Sequence, residues 1–289
     1  MTATISASFV SQFSDNLHML LEQKGSKLRG IFPVDMANGE KHFFDRLGNF
    51  TASEVTARLQ VTDLQDPAHS RRMATVRRYE ASTYLDDIDK LKMLIDPASD
   101  YAVKLANAHG KNYDSVVLSA LLGSAATGAD GSGSTAFDSN QQIVHGGTGF
   151  TVDKFNQALR MLQANEVDIE TDDLVLILGA RGIEDLMGDT NNRFTSFDYM
   201  SSKPLADGKL PQFRGVEIIH SERAEDETSG STFRGLLCSK DCMKVAMAKD
   251  MEVKVAERPD LNFAQQVSTY MMFGAVRMEE GRVIDVLYQ

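Results

Sequence analysis

Two thiols, Cys238 and Cys242, are the residues of this chain best suited to covalent or metal chemistry. Their Cys-x3-Cys spacing has no further Cys or His beside it, so it makes a poor metal site. It reads as a pair of reduced thiols, buried or on the surface. The six histidines, His18, His42, His69, His109, His145 and His220, stand singly. None forms the His-Glu-x-x-His pair of a zinc hydrolase. Carboxylates do cluster, at Asp172-Asp173 and Glu225-Asp226-Glu227. Adjacent side chains on an extended chain point apart, so these read as solvated loops. The stretch from Asp189 to Phe194 offers oxygen ligands at alternating positions but lacks the glycine that an EF-hand calcium loop needs. There is no Walker phosphate loop and no Gly-x-Ser-x-Gly elbow. The glycines at 128–133 and 146–149 lie in polar stretches instead of between a strand and a helix. The chain therefore offers no catalytic, cofactor-binding or metal residue, and an enzyme is not expected.

One charge cluster stands out. Arg71, Arg72, Arg77 and Arg78 fall within eight residues of a chain whose formal net charge is −11. Three readings are open: an acidic patch on another copy, a solvated strand edge, or contact with nucleic acid. Arginine's planar fork suits paired bonds to carboxylates, which favours the first. The overall acidity argues against tight nucleic-acid binding along a basic face.

The elements that must carry these residues follow from pattern. Of 289 residues, 42% are apolar and 25% charged, enough for one large core or two medium ones. No apolar run is long enough to span a bilayer, and the start has neither a basic region nor an apolar leader, so no secretory signal is expected. Residues 8–24 read as an amphipathic helix, with Phe9, Phe13, Leu17, Leu20 and Leu21 on one stripe and Gly25 ending it. Lys41–Leu47 and Met73–Leu85 alternate as strands, and the polar stretch Gly48–Arg72 between them reads as an extended arm. A short helical stretch is expected at 86–95. Asp96-Pro97 then starts a helix to Leu122, roughly 39 Å long at 1.5 Å per residue, with Gly110 as its weak point and Gly123 as its stop.

Residues 123–149 read as a Gly/Ser/Thr-rich connection. Thr151 caps a helix with Val152, Phe155, Leu159 and Leu162 on its buried face. Leu174–Leu178 is a fully buried strand, Arg181–Met187 a short helix and 189–213 a long loop. Gly215–Ile219 is a strand, Glu222–Gly230 an acidic loop, and Phe233–Cys238 and Met243–Ala248 are two strands or a strand and a helix. Val267–Met278 and Arg282–Tyr288 read as a strand pair around the turn Glu279-Glu280-Gly281.

This order of elements resembles the major capsid protein of tailed bacteriophages over nearly the whole chain. Phe150–Val167 is similar to that family's peripheral-domain helix, and Leu174–Gly188 to the first strand and helix of its axial domain. Thr195-Ser-Phe-Asp-Tyr199 and Leu205-Ala-Asp-Gly-Lys209 are similar to the loop that follows, and Phe213-Arg-Gly-Val-Glu217 to the next strand. Gly274–Ile284 is similar to the closing strands.

The resemblance implies an α+β fold of the tailed-phage capsid type. Residues 1–39 would be an N-terminal arm and 40–86 an extended loop, the E-loop, with its supporting strands. Residues 87–165 and 250–289 would form a peripheral domain around a long spine helix, and 166–249 an axial α/β domain. The implied function is self-assembly into hexamers and pentamers of an icosahedral shell around double-stranded DNA. Inter-subunit contacts are then expected at Arg71, Arg72, Arg77, Arg78, Arg193, Phe194, Glu225 and Asp226. The final strand would close near the strands supporting the E-loop. The implied partners are other copies, a portal protein, DNA held without sequence specificity, and a cement protein; a membrane is not among them. A separate scaffolding protein is expected because the chain begins almost directly at the arm. No lysine lies between Lys41 and Lys90, so covalent welding from the loop tip is not expected. The implied location is the virion capsid, assembled in the host cytoplasm. Two other readings compete: a nanocompartment shell of the encapsulin kind, and an unrelated α/β enzyme.

Overall fold

The computed structural model describes residues 23–56, 58, 61–62, 64–85, 98–188, 212–224 and 232–289. In chain order the elements begin with β1 (Val34–Met36), β2 (Lys41–Leu47), β3 (His69–Thr75), β4 (Arg77–Leu85) and α1 (Ala98–Leu122). β5 (Ala125–Thr127), β6 (Gly133–Thr135), β7 (Gln142–Ile143), α2 (Val152–Ala164), β8 (Leu174–Leu178) and α3 (Ala180–Gly188) follow. The chain ends with β9 (Gln212–Phe213), β10 (Val216–His220), β11 (Phe233–Ser239), β12 (Met243–Arg258), β13 (Ala264–Arg277) and β14 (Val283–Tyr288). Three sheets result, with strand orders β1-β12-β13-β4, β7-β14-β11-β8-β10-β9 and β2-β3-β5-β6. Among the described residues no helix is long and apolar enough to cross a membrane.

The chain divides into two compact units. By its described residues, the first takes 23–26, 78–85, 98–113 and 249–272; the second takes the rest. In the second unit, β8 is buried along its whole length. An unbroken Leu-Val-Leu-Ile-Leu run suits a strand covered on both faces. It pairs parallel with β10 and antiparallel with β11. The helix α2 begins where expected: Thr151 Oγ1 accepts the Lys154 N–H at 3.3 Å. Its stripe of Val152, Phe155, Ala158, Leu159 and Leu162 joins Leu174, Leu176, Leu178 and Ile284 in one core. Each such side chain contributes about 1.5–3 kcal/mol by leaving water. Asp114 of α1 is fully buried in this unit and accepts the N–H groups of Lys27 and Leu28 at 3.0 and 3.1 Å.

In the first unit, His109 Nε2 lies 3.1 Å from the Thr269 carbonyl oxygen and 3.0 Å from its hydroxyl. That hydroxyl donates to the Ala81 carbonyl, so the imidazole N–H serves Thr269. Gly25 N–H donates to Asn107 Oδ1 at 3.0 Å.

Several expectations change. The strand expected at Met73–Leu85 is two strands divided at Val76, because β3 and β4 belong to different sheets. The connection 123–149 is not structureless: β5 and β6 form a hairpin that extends the β2–β3 sheet. The two last strands are not a pair. β13 lies between β12 and β4, whereas β14 pairs with β11 and β7. The short turn at Glu280–Arg282 passes the chain from one sheet to the other, so β14 does not close against the strands that support 40–86. Residues 8–22 of the helix expected at 8–24, residues 86–97, and most of the expected loops 189–213 and 222–230 lie outside the described residues.

Gly110 does not weaken α1, which runs through it unbroken. A Cβ there would stand 2.4 Å from the backbone carbon of Gly25, so only glycine lets segment 25–26 lie on the helix. Alanine would add about 1 kcal/mol of helix propensity, but the overpacking opposes it by about 1–3 kcal/mol. Gly110→Ala is therefore expected to lower stability in urea unfolding. An unchanged or raised midpoint would mean that Gly25 moves aside freely.

Candidate inter-subunit surfaces

The arginine cluster sits on β3 and the start of β4. The β2–β3 register sets Asp45 opposite Arg71 and Phe44 opposite Arg72. Alternation along the strand then sends the two arginines to opposite faces. Arg71 is half-exposed, pairs with Asp45 and lies 6.0 Å from the Phe43 ring centre. Arg72 points inward and is only 4% exposed. It bonds Glu280 Oε1 and donates from Nε to the Met278 carbonyl at 3.4 Å.

Arg277 meets it there. This guanidinium is fully buried, and its Nη1 donates to the Leu121 and Gly123 carbonyls at 2.6 and 2.7 Å. Its Nη2 reaches the Thr135 carbonyl at 3.3 Å, and its Nε stands 3.7 Å from Glu280 Oε1. The Phe137 ring lies 5.3 Å from it. Burial pulls both guanidinium pKa values below their usual value, and the charge of Glu280 opposes that shift. Expected as an inter-subunit contact, Arg72 is instead an internal brace: a buried cation needs its carboxylate close by. Arg77 is exposed. Arg78, in the first unit, pairs with Glu80 at 3.2 Å and lies 4.8 Å from the Tyr270 ring. Arg193, Phe194, Glu225 and Asp226 fall outside the described residues.

The segment after β2 leaves the sheet. Gly48 N–H donates to the Ala68 carbonyl at 2.9 Å and closes its base. One step out, Thr51 N–H donates to Gln65 Oε1 at 2.9 Å, and the Gln65 amide returns a bond to the Thr51 carbonyl. Between Gly48 and Ala68 the described residues form no helix or strand. They nevertheless carry apolar side chains in the open. Phe50 and Val55 are exposed, Val61 is 88% exposed and Leu64 89%, and Leu47 at the end of β2 is exposed beside them. Four apolar side chains grouped on one loop mark a candidate surface for a partner.

A second exposed apolar group lies in the first unit, on the outer part of β12 and the turn that leads to β13. Val253, Val255, Leu261 and Phe263 are exposed there. Asn262 and Phe263 both have left-handed backbones, at φ 52 and 60. For a bulky residue that costs of order 1–3 kcal/mol. A two-pronged ion pair holds the turn: Arg258 Nε and Nη2 lie 2.9 and 2.8 Å from the two Asp260 carboxylate oxygens. That bond holds the Asp260 pKa down at about 2. The alternation Met251-Glu-Val-Lys-Val255 was the available sequence signal for this part of β12, which the expected strand at Met243–Ala248 omits.

Chemistry is lacking in the same described residues. No group of three His, Cys, Asp or Glu is placed to hold a metal. Cys238 and Cys242 are free and buried. Burial pushes the Cys242 thiol well above its usual pKa, and its hydrogen bond with Cys238 adds to that. Such thiols are inert.

With this geometry the chain is similar in fold to solved phage capsids. Against the capsid of cyanophage P-SCSP1u the identity is 14%, covering 100% of this chain and 95% of that one, with a TM-score of 0.72. Against cyanophage Pam1 it is 16%, covering 100% and 98%, with a TM-score of 0.74. Against the acid-stable capsid of Helicobacter pylori bacteriophage KHP30 it is 9%, covering 100% and 98%, with a TM-score of 0.73. The fold is thus the tailed-phage capsid fold, of mixed α+β class. The sequence profile described as phage capsid protein matches residues 5–289, and the chain belongs to that family. No curated protein matches the sequence. The chain is a structural subunit that assembles with copies of itself in a virion capsid, and it is not an enzyme. The readings as an encapsulin-like shell or an unrelated enzyme are not favoured.

The internal and external arginines separate by experiment. Arg72→Met leaves Glu280 paired with Arg277 alone and takes the Arg72 donor from the Met278 carbonyl, and is expected to cost about 1–3 kcal/mol in urea unfolding. Arg77→Ala is expected to stay within about 0.5 kcal/mol of the parent. Equal effects of the two would contradict the internal role of Arg72.

Proposed function

We propose that this subunit tiles an icosahedral shell as hexamers and pentamers, and that the segment between β2 and β3 lies across a neighbouring copy. The observation that carries this reading is the exposure of Phe50, Val55, Val61 and Leu64 on one loop with a braced base, with Leu47 exposed at the end of β2. Contact patches of about 1,000 Å² are the usual minimum for a specific interface. Many weak patches suffice in a shell, because each copy engages several at once. The exposed Arg71, Arg77 and Arg78 at the foot of this arm supply charge for neighbours in an acidic protein. Arg193, Phe194, Glu225 and Asp226 are proposed contacts nearer the capsomer axis.

In this reading residues 1–39 are an arm, 40–86 the E-loop with its strands, and α1 the spine of the peripheral domain expected at 87–165 and 250–289. Residues 166–249 form the axial domain, and α2, β7 and β14 are reassigned to it from the expected peripheral range because they share its core or its six-stranded sheet. The cargo is double-stranded DNA held without sequence specificity. A portal protein, a separate scaffolding protein and a cement protein are its partners, and assembly takes place in the host cytoplasm.

Replacing residues 50–66 by a short Gly/Ser linker keeps β2, β3 and the Gly48–Ala68 bond. The variant is expected to fold as the parent does by circular dichroism. In negative-stain microscopy it is expected to give no stable closed shells under conditions in which the parent forms them. Intact shells from the variant would remove the loop from assembly, and loss of folding would make it part of the core.

A further inference from the structure

The turn between β1 and β2 holds Asn38-Gly39, the one Asn-Gly dipeptide in the chain. In such a pair the glycine nitrogen can approach the asparagine side-chain carbon with no Cβ in its way. Asn38, Gly39 and Glu40 are all exposed. Among the described residues neither the Asn38 amide nor the Gly39 N–H has a hydrogen-bond partner. Gly39 has φ 120, and nothing lies within 4 Å of the place a Cβ would take. The attacking nitrogen, the amide and the space around them are therefore all free.

Of the two related Asp-Gly pairs, Asp207-Gly208 lies outside the described residues and Asp130-Gly131 is held differently. There the glycine N–H donates to the Gly128 carbonyl at 3.3 Å, and Met73 Sδ stands 2.2 Å from where a Cβ would be. Its nitrogen is committed to the β5–β6 turn, and its surroundings are filled.

We propose that Asn38 is a self-modification site, converted spontaneously to aspartate and isoaspartate. The Gly39 nitrogen attacks Asn38 Cγ and forms a five-membered succinimide. The amide proton passes to solvent, and the side-chain nitrogen leaves as ammonia. One solvent water then opens the ring at either carbonyl. Nothing is oxidised or reduced, and no other group is required. Each conversion adds a negative charge next to Glu40. The isoaspartate product also inserts a methylene into the main chain. Two bonds bracket that insertion: Ala37 N–H to the Met247 carbonyl at 2.9 Å, and Val76 N–H to the Glu40 carbonyl at 2.8 Å. The extra atom must be absorbed between them, at the root of the β2–β3 arm. An ageing subunit thus changes charge and backbone length where its arm begins.

The test incubates the purified full-length protein at mildly alkaline pH and follows it by charge separation and peptide mass spectrometry, with enzymatic methyl labelling of isoaspartate. Asn38 is expected to lose its amide before every other asparagine, with isoaspartate and aspartate both present. Asn38→Gln, at an exposed position, is expected to remove that first acidic form. Asp130 is expected to stay unisomerised while Asn38 converts. Retention of the Asn38 amide while acidic forms arise elsewhere, or isomerisation of Asp130 ahead of it, overturns the proposal.

Discussion

One carboxylate, Glu280, holds two buried guanidiniums in place, and the second unit is organised around that contact. Arg72 brings the middle of the β2–β3 arm to it. Arg277 brings the end of β13 and ties down the Leu121 carbonyl of α1, the Gly123 carbonyl just beyond the helix and a carbonyl of β6. A buried arginine is costly without a carboxylate and acceptors for its N–H groups. The bonds the two guanidiniums do make, with Arg72 Nη1 and Arg277 Nε left without a hydrogen-bond partner among the described residues, tie three separate chain segments together. Glu280 itself lies in the turn that hands the chain from β13 to β14. The same few residues thus anchor the arm, stop the helix and direct the last strand into the six-stranded sheet.

A rigid root is what a shell subunit requires if its loop is to reach outward. The apolar side chains between Leu47 and Leu64 cannot fold back into a core that is already filled by α2, β8 and β14. They stay in water until another surface covers them. The strained, clamped turn at Arg258–Phe263 of the first unit follows the same logic. Backbone strain and exposed apolar side chains are kept where a monomer would have no use for them. In the proposed shell, assembly would turn both costs into gains.

Much of this was readable from local pattern. The run Leu174–Leu178 announces a doubly covered strand, and Thr151 with the stripe from Val152 to Leu162 announces a capped helix. What was not readable depends on partners distant in the chain. Arg72 looks like a surface charge until Glu280, some two hundred residues later, explains its burial. β5 and β6, made of Ala, Gly, Ser and Thr, have no strand signature of their own and exist because β3 offers an edge. β13 and β14 look like a hairpin because they are adjacent in sequence, yet each finds a better partner elsewhere. Gly110 reads as a helix defect until Gly25 is seen against it. The apolar loop residues carried a different ambiguity, since Gly48–Arg72 reads as polar overall and only exposure sets Val61 and Leu64 apart.

In the proposed shell those loop residues are covered by assembly and by nothing else. Hydroxyl-radical footprinting of the same protein as free subunits and as closed shells measures this directly. Phe50 and Leu64 are expected to be readily oxidised in the free subunit and strongly protected in the shell, while buried Phe155 is protected in both. Equal oxidation of Phe50 and Leu64 in the two states would mean that assembly leaves the loop uncovered.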